Sequence, residues 1–137
     1  MTDLKMSRIP ARLSHPRGAS VVARVPHSGV EESILSWSLS GGLRLWSMAS
    51  GELLRFRRTI DHQAFAFCPL RGNYALAADD RIFLCSLEND EVLREWREPD
   101  GRVSALALSP DGRCLASAGE GKVARLWPTD SDSVAHL

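Results

Sequence analysis

Three cysteines, four histidines and one Asp-Asp pair are the side chains of this 137-residue chain best suited to nucleophilic, metal-binding or acid–base chemistry. Cys68, Cys85 and Cys114 stand far apart with no C-x-x-C pair, so neither a zinc ribbon nor a dithiol redox motif is written into the chain. His15, His27, His62 and His136 share no metal-ligand spacing. Asp79 and Asp80 are adjacent, and neighbours on a strand point to opposite faces, which makes a poor acid–base dyad. No serine lies in a G-x-S-x-G elbow. Ser40-Gly41-Gly42 and Gly119-Glu120-Gly121 are too short for a phosphate loop and suit hairpin turns instead. The expectation is a chain with no catalytic centre, no cofactor and no metal.

Charge narrows the partners further. Lys plus Arg and Asp plus Glu each total 17, so the formal net charge is zero and no nucleic-acid footprint is expected. Residues 1–14 lack the apolar core of about 7–15 residues that a secretory leader needs. No apolar run approaches the roughly 20 residues of a spanning helix, so no membrane partner is expected either. An odd cysteine count without a leader suits reduced, buried thiols and a cytoplasmic location.

The elements that position these residues are clearest between Val103 and Trp127. Apolar runs at 103–108, 114–118 and 123–126 are separated by Ser-Pro-Asp-Gly at 109–112 and by Gly119-Glu120-Gly121. Pro and Gly at such places break helices and favour tight reversals, so the runs are expected to pair as antiparallel hairpins. Their near-continuous apolarity predicts strands buried on both faces. The pattern recurs. Setting Pro110 over Pro69 and Pro26 gives spacings of 41 (110 − 69) and 43 (69 − 26). The third runs then close on Trp46, Cys85 and Trp127, each followed by a turn and a fourth run at 52–56, 91–96 and 133–137.

Four strands per unit at a period near 40 residues is the pattern of propeller blades. Over roughly residues 15–137 the chain resembles the WD-repeat (β-transducin-type) propeller family, most clearly in its third unit. The resemblance implies an all-β fold: a partial β-propeller of three four-stranded antiparallel WD-type blades at about 15–56, 57–96 and 97–137. Residues 1–14 form a leading segment, with 8–13 a candidate outer strand.

Family blades often hold a hydrogen-bonded chain of His, Ser or Thr, Asp and the closing Trp. By resemblance, His15, Ser36 and Trp46 take these structural places in the first unit, with Ser40 where the Asp belongs. Asp79 takes one in the second, where Arg58, Ala75 and Cys85 depart from the pattern. Ser117 and Trp127 take two in the third, with Pro99 and Gly121 in the others. Trp37 is a large ring among small second-strand counterparts, Leu76 and Ala118 by register, and either packs or faces a partner. Arg57-Arg58, read as part of the loop before the second unit's innermost strand, is a second candidate partner-facing site.

The function this implies is a non-catalytic protein–protein interaction module or scaffold. One alternative is a truncated fragment of a longer WD-repeat propeller needing further blades; another is a propeller enzyme. Three blades leave two end faces, with Val21, Ala23 and Trp37 expected on one and Ala105, Leu115 and Leu126 on the other. Self-association, or additional blades from elsewhere, is the expected consequence.

Overall fold

The computed structural model describes residues 21–25, 32–39, 41–59 and 62–130, with only the backbone of 21–22 and 135–136. The candidate strand at 8–13 and His15 lie outside the described residues. The strands are β1 (Val21–Val25), β2 (Ser33–Ser38), β3 (Gly42–Ser47), β4 (Leu53–Arg57), β5 (Ala64–Cys68) and β6 (Asn73–Ala78). They continue with β7 (Arg81–Ser86), β8 (Val92–Arg97), β9 (Val103–Leu108), β10 (Cys114–Gly119), β11 (Arg125–Pro128) and β12 (Ala135–His136). They form three four-stranded antiparallel meanders, β1-β2-β3-β4, β5-β6-β7-β8 and β9-β10-β11-β12. The described residues contain no helix long and apolar enough to cross a membrane.

The turns follow from local chemistry. Between β9 and β10 the Asp111 carboxylate accepts from the Ser109 hydroxyl at 2.7 Å and from the Arg113 amide at 3.0 Å. These side-chain bonds satisfy groups that the reversal removes from the ladder. Two residues suffice between β6 and β7, and Asp79 takes a positive φ of 56° there. A left-handed residue of this kind suits a two-residue hairpin, and Asp tolerates it better than most side chains. Asp79 and Asp80 therefore lie in a turn, where the family resemblance puts Asp79, and not on the strand that the acid–base argument assumed.

The chain divides into two compact units, 1–58 and 59–137. In the first, Leu35, Trp37, Leu43 and Trp46 are buried. In the second, the two sheets share a core of Ala64, Ala66, Ala75, Ala77, Ile82, Leu84 and Trp96 with Val103, Leu115 and Trp127. Leu106 and Leu108 pack against its margin. Alanines on β5 and β6 let the third sheet approach closely enough for larger side chains to fill the space between.

Continuous apolarity is a poor guide to two-faced burial in the third sheet. β6 is buried along most of its length, but Ala105 and Ala107 on β9 and Ala118 on β10 are exposed. Leu115, placed beside Ala105 and Leu126 in the sequence reading, points the other way and is fully buried in the shared core. Successive strand residues alternate faces, and Leu115 pairs with Leu108 and Trp127 while Ala118 pairs with Ala105. The third strand begins at Arg125, later than the apolar run at 123 predicted.

Candidate functional site

Two side-chain pairs recur in the first and third sheets. The Trp46 indole N–H donates to the Ser36 hydroxyl at 2.9 Å, and that of Trp127 donates to Ser117 at 2.9 Å. Both pairs are buried, so each bond satisfies an indole donor that would otherwise cost about 1–3 kcal/mol. The second sheet carries no such pair. Its hairpin is one residue shorter: Tyr74 pairs with Cys85, 11 positions on (85 − 74), whereas Ile34 pairs with Trp46, 12 on (46 − 34). Leu76, not Ala75, therefore stands where Ser36 and Ser117 stand, and Ala77, not Leu76, matches Trp37. One deleted turn residue changes which side chains share a face.

Asp79 acts through its backbone. Its amide donates to the Gln63 side-chain oxygen at 2.9 Å, and its carbonyl accepts from the Gln63 amide at 2.9 Å and from the Val103 N–H at 2.9 Å. Gln63 also donates to the Val103 carbonyl at 2.7 Å, so one side chain ties the second sheet to the third. The sequence reading missed Gln63. Its only signal is its position directly before β5.

It also missed the charged group at the heart of the second unit. The Arg125 Nε–H donates to both carboxylate oxygens of Glu98, at 2.9 and 2.8 Å, and its terminal nitrogen pairs with Asp100. The Arg125 and Glu98 side chains are only 5% and 8% exposed. Glu98, ahead of Asp100, holds the guanidinium above its ordinary arginine value, against desolvation that pulls it down. A charged residue two places before the closing Trp of an otherwise apolar strand was the available signal.

The same position in the first sheet is Arg44, which pairs across to Ser36 as Arg125 does to Ser117. Arg44 lies 4.6 Å from the centroid of the Phe56 ring, and its buried Nε has no hydrogen-bond partner among the described residues. The ring in turn covers Gly42, whose φ is +83°; an added Cβ would come within 2.8 Å of it and 2.7 Å of the Arg57 carbonyl.

Of the partner-facing candidates, Trp37 is 4% exposed, so its ring is packed and offers a partner no surface. Arg57 closes β4 and so belongs to the first sheet, where the sequence had placed it in a loop; Arg58, next to it, is exposed. β4 is the outermost strand of its sheet and exposes Leu53, Leu54 and Phe56 to about the same degree, 44–45%. Cys68 and Cys85 are buried and Cys114 is half-buried; none is in a disulfide. Among the described residues no three His, Cys, Asp or Glu groups gather where they could hold a metal.

No family model matches the chain. It is 30% identical over 115 residues to WD repeat and SOCS box-containing protein 1 of Xenopus tropicalis, a match spanning 74% of this chain and 26% of that protein. It is 33% identical over 93 residues to WD repeat-containing protein 1 of Mus musculus, spanning 61% and 15% respectively. The chain thus spans about a quarter or less of the curated relatives it matches. In fold it is similar to the Dos1 propeller, with a TM-score of 0.64 over 90% of this chain and 38% of that one at 14% identity. It is also similar to the Cps50 (Swd1) β-propeller domain of Myceliophteria thermophila, with a TM-score of 0.58 over 77% and 34% at 15% identity.

Proposed function

We propose that this chain, whose three sheets are propeller blades of the WD-repeat type, serves as a non-catalytic module that binds other proteins. The observation that carries this reading is β4. An outermost strand that exposes two leucines and a phenylalanine beside Arg57 and Arg58 combines apolar area with the residue types enriched in binding hot spots. The balanced net charge supports protein partners over nucleic acid or a membrane surface.

The test is a photo-crosslinking residue in place of Leu54, with the full chain expressed in cells. The expected result is a discrete adduct with a protein, weakened by the double change Arg57→Glu, Arg58→Glu in a chain whose circular dichroism is unchanged. An adduct pattern indifferent to that change, or none, would sink the assignment.

A second reading is favoured by the open side of the third sheet. There Ala105, Ala107 and Ala118 are exposed, while Ala64, Ala66 and Ala77 of the second sheet, at the same blade positions, are covered by the shared core. We infer that a further blade seats on this side, from a second copy or from a longer propeller of which these blades are part.

A further inference from the structure

Arg125 shows what an arginine at this blade position is built to hold. Its counter-charges, Glu98 and Asp100, lie 27 (125 − 98) and 25 (125 − 100) residues upstream, in the segment just after β8. Glu98 is fixed in turn by its amide, which donates to the Asp80 carbonyl at 2.7 Å, and it accepts from the Asp100 amide at 3.1 Å. The segment Glu98-Pro99-Asp100 is thus a preformed two-carboxylate clamp for one guanidinium.

Arg44 repeats the arginine without the clamp. The same offsets from Arg44 fall on Arg17 (44 − 27) and Ala19 (44 − 25), neither of them acidic. What the first sheet supplies instead is a platform. The Phe56 ring, seated over Gly42, lies under the guanidinium, and the Nε has no hydrogen-bond partner among the described residues. A guanidinium stacked on an aromatic face is pre-oriented for a planar carboxylate.

We propose that Arg44 is the seat for an acidic segment of a partner protein, with two carboxylates one residue apart (Glu-x-Asp), held as Arg125 holds Glu98 and Asp100. This rests on the reading of the chain as a protein-binding module and names the chemistry of its partner. Phe56, half exposed beside the seat, supplies apolar contact to the residues flanking the carboxylates.

The experiment titrates the full chain with a synthetic heptapeptide of sequence Trp-Arg-Glu-Pro-Asp-Gly-Arg, copied from residues 96–102. The readout is the nitrogen-15 Nε–Hε resonance of Arg44, assigned by its loss in Arg44→Lys. A saturable shift is expected, weakened about tenfold or more when Gln and Asn replace the peptide's two acids. The Arg44→Lys and Arg44→Met chains, checked by circular dichroism, are expected to bind the acidic peptide correspondingly less. An equal response to acidic and neutral peptides, or no response, overturns the proposal. So does a shift that depends on protein concentration alone, because the counter-charge would then come from a second copy. If the peptide fails while the Leu54 crosslink survives, the module reading stands without Arg44; if both fail, that reading fails too.

Discussion

The rings of Trp96 and Trp127 lie 5.8 Å apart in the core shared by the second and third sheets, but their indole N–H groups are not equivalent. Trp127 donates to Ser117, while Trp96 Nε1 is buried with no hydrogen-bond partner among the described residues. Trp127→Phe strands the Ser117 hydroxyl and adds about 1–3 kcal/mol to the packing loss, whereas Trp96→Phe removes a costly donor. Urea denaturation is expected to rank Trp96→Phe well above Trp127→Phe in stability; the reverse order would contradict the hydrogen-bond assignment. Trp127→Ala, at about 3–5 kcal/mol, removes a large share of the roughly 5–15 kcal/mol typical of a domain and is expected to unfold this unit.

Asp111 is the group whose titration the structure shifts by a local turn. The Ser109 hydroxyl, and after it the Arg113 amide, bond the ionised form and hold its pKa below the ordinary 3.8. A depressed carboxyl contributes stability above the ordinary carboxylate range and loses it as pH falls through the folded value. Carbon-13 carboxyl shifts should place Asp111 below its ordinary titration, and Ser109→Ala should raise it. Among the thiols, half-buried Cys114 is expected to react first with a thiol reagent, with Cys68 and Cys85 following only in denaturant. Fast labelling of all three would contradict the packing around β5 and β7.

At the scale of elements, hairpin length decides which residues meet. The second sheet has no Ser–Trp pair because Cys85 closes its third strand without an indole, and its β6–β7 turn, one residue shorter, brings Leu76 to the place of the hydroxyl. The third sheet is irregular elsewhere: the β9–β10 register shifts between Ala118 and Gly119. At Gly119 the chain runs so close to the Arg102 carbonyl that a Cβ would strike backbone, which has no rotamer to yield. Gly119→Ala is therefore expected to lower stability by about 1–3 kcal/mol, as overpacking does. A melting temperature equal to the parent's would show that the bulge relaxes freely.

At the scale of the whole molecule, the third sheet has one covered side and one open side. Exposed alanines and the half-buried Leu126 beside Ala116 form an apolar surface, and such surfaces mark association sites. Light scattering of the purified chain is expected to show association, and Ala118→Glu, which sets a charge in that surface without touching the covered side, is expected to reduce it. A sharply melting monomer in both proteins would count against any further blade.

Turn chemistry and apolar spacing are local properties, so the sequence alone determined the three four-strand repeats, while resemblance to the propeller family implied the Ser36–Trp46 and Ser117–Trp127 pairs. Their residues sit at fixed offsets within single hairpins, and a strand's period carries those offsets into space. The charged clamp on Arg125, the bridging role of Gln63 and the exposure of Ala105 and Ala118 were decided only by tertiary structure. Arg125 meets Glu98 across 27 residues (125 − 98), and Gln63 meets Val103 across 40 (103 − 63). Both contacts run from one sheet to the next, where no strand period applies. Which side of a sheet stays open depends on whether another sheet lies against it, and an apolar strand reads the same in both cases.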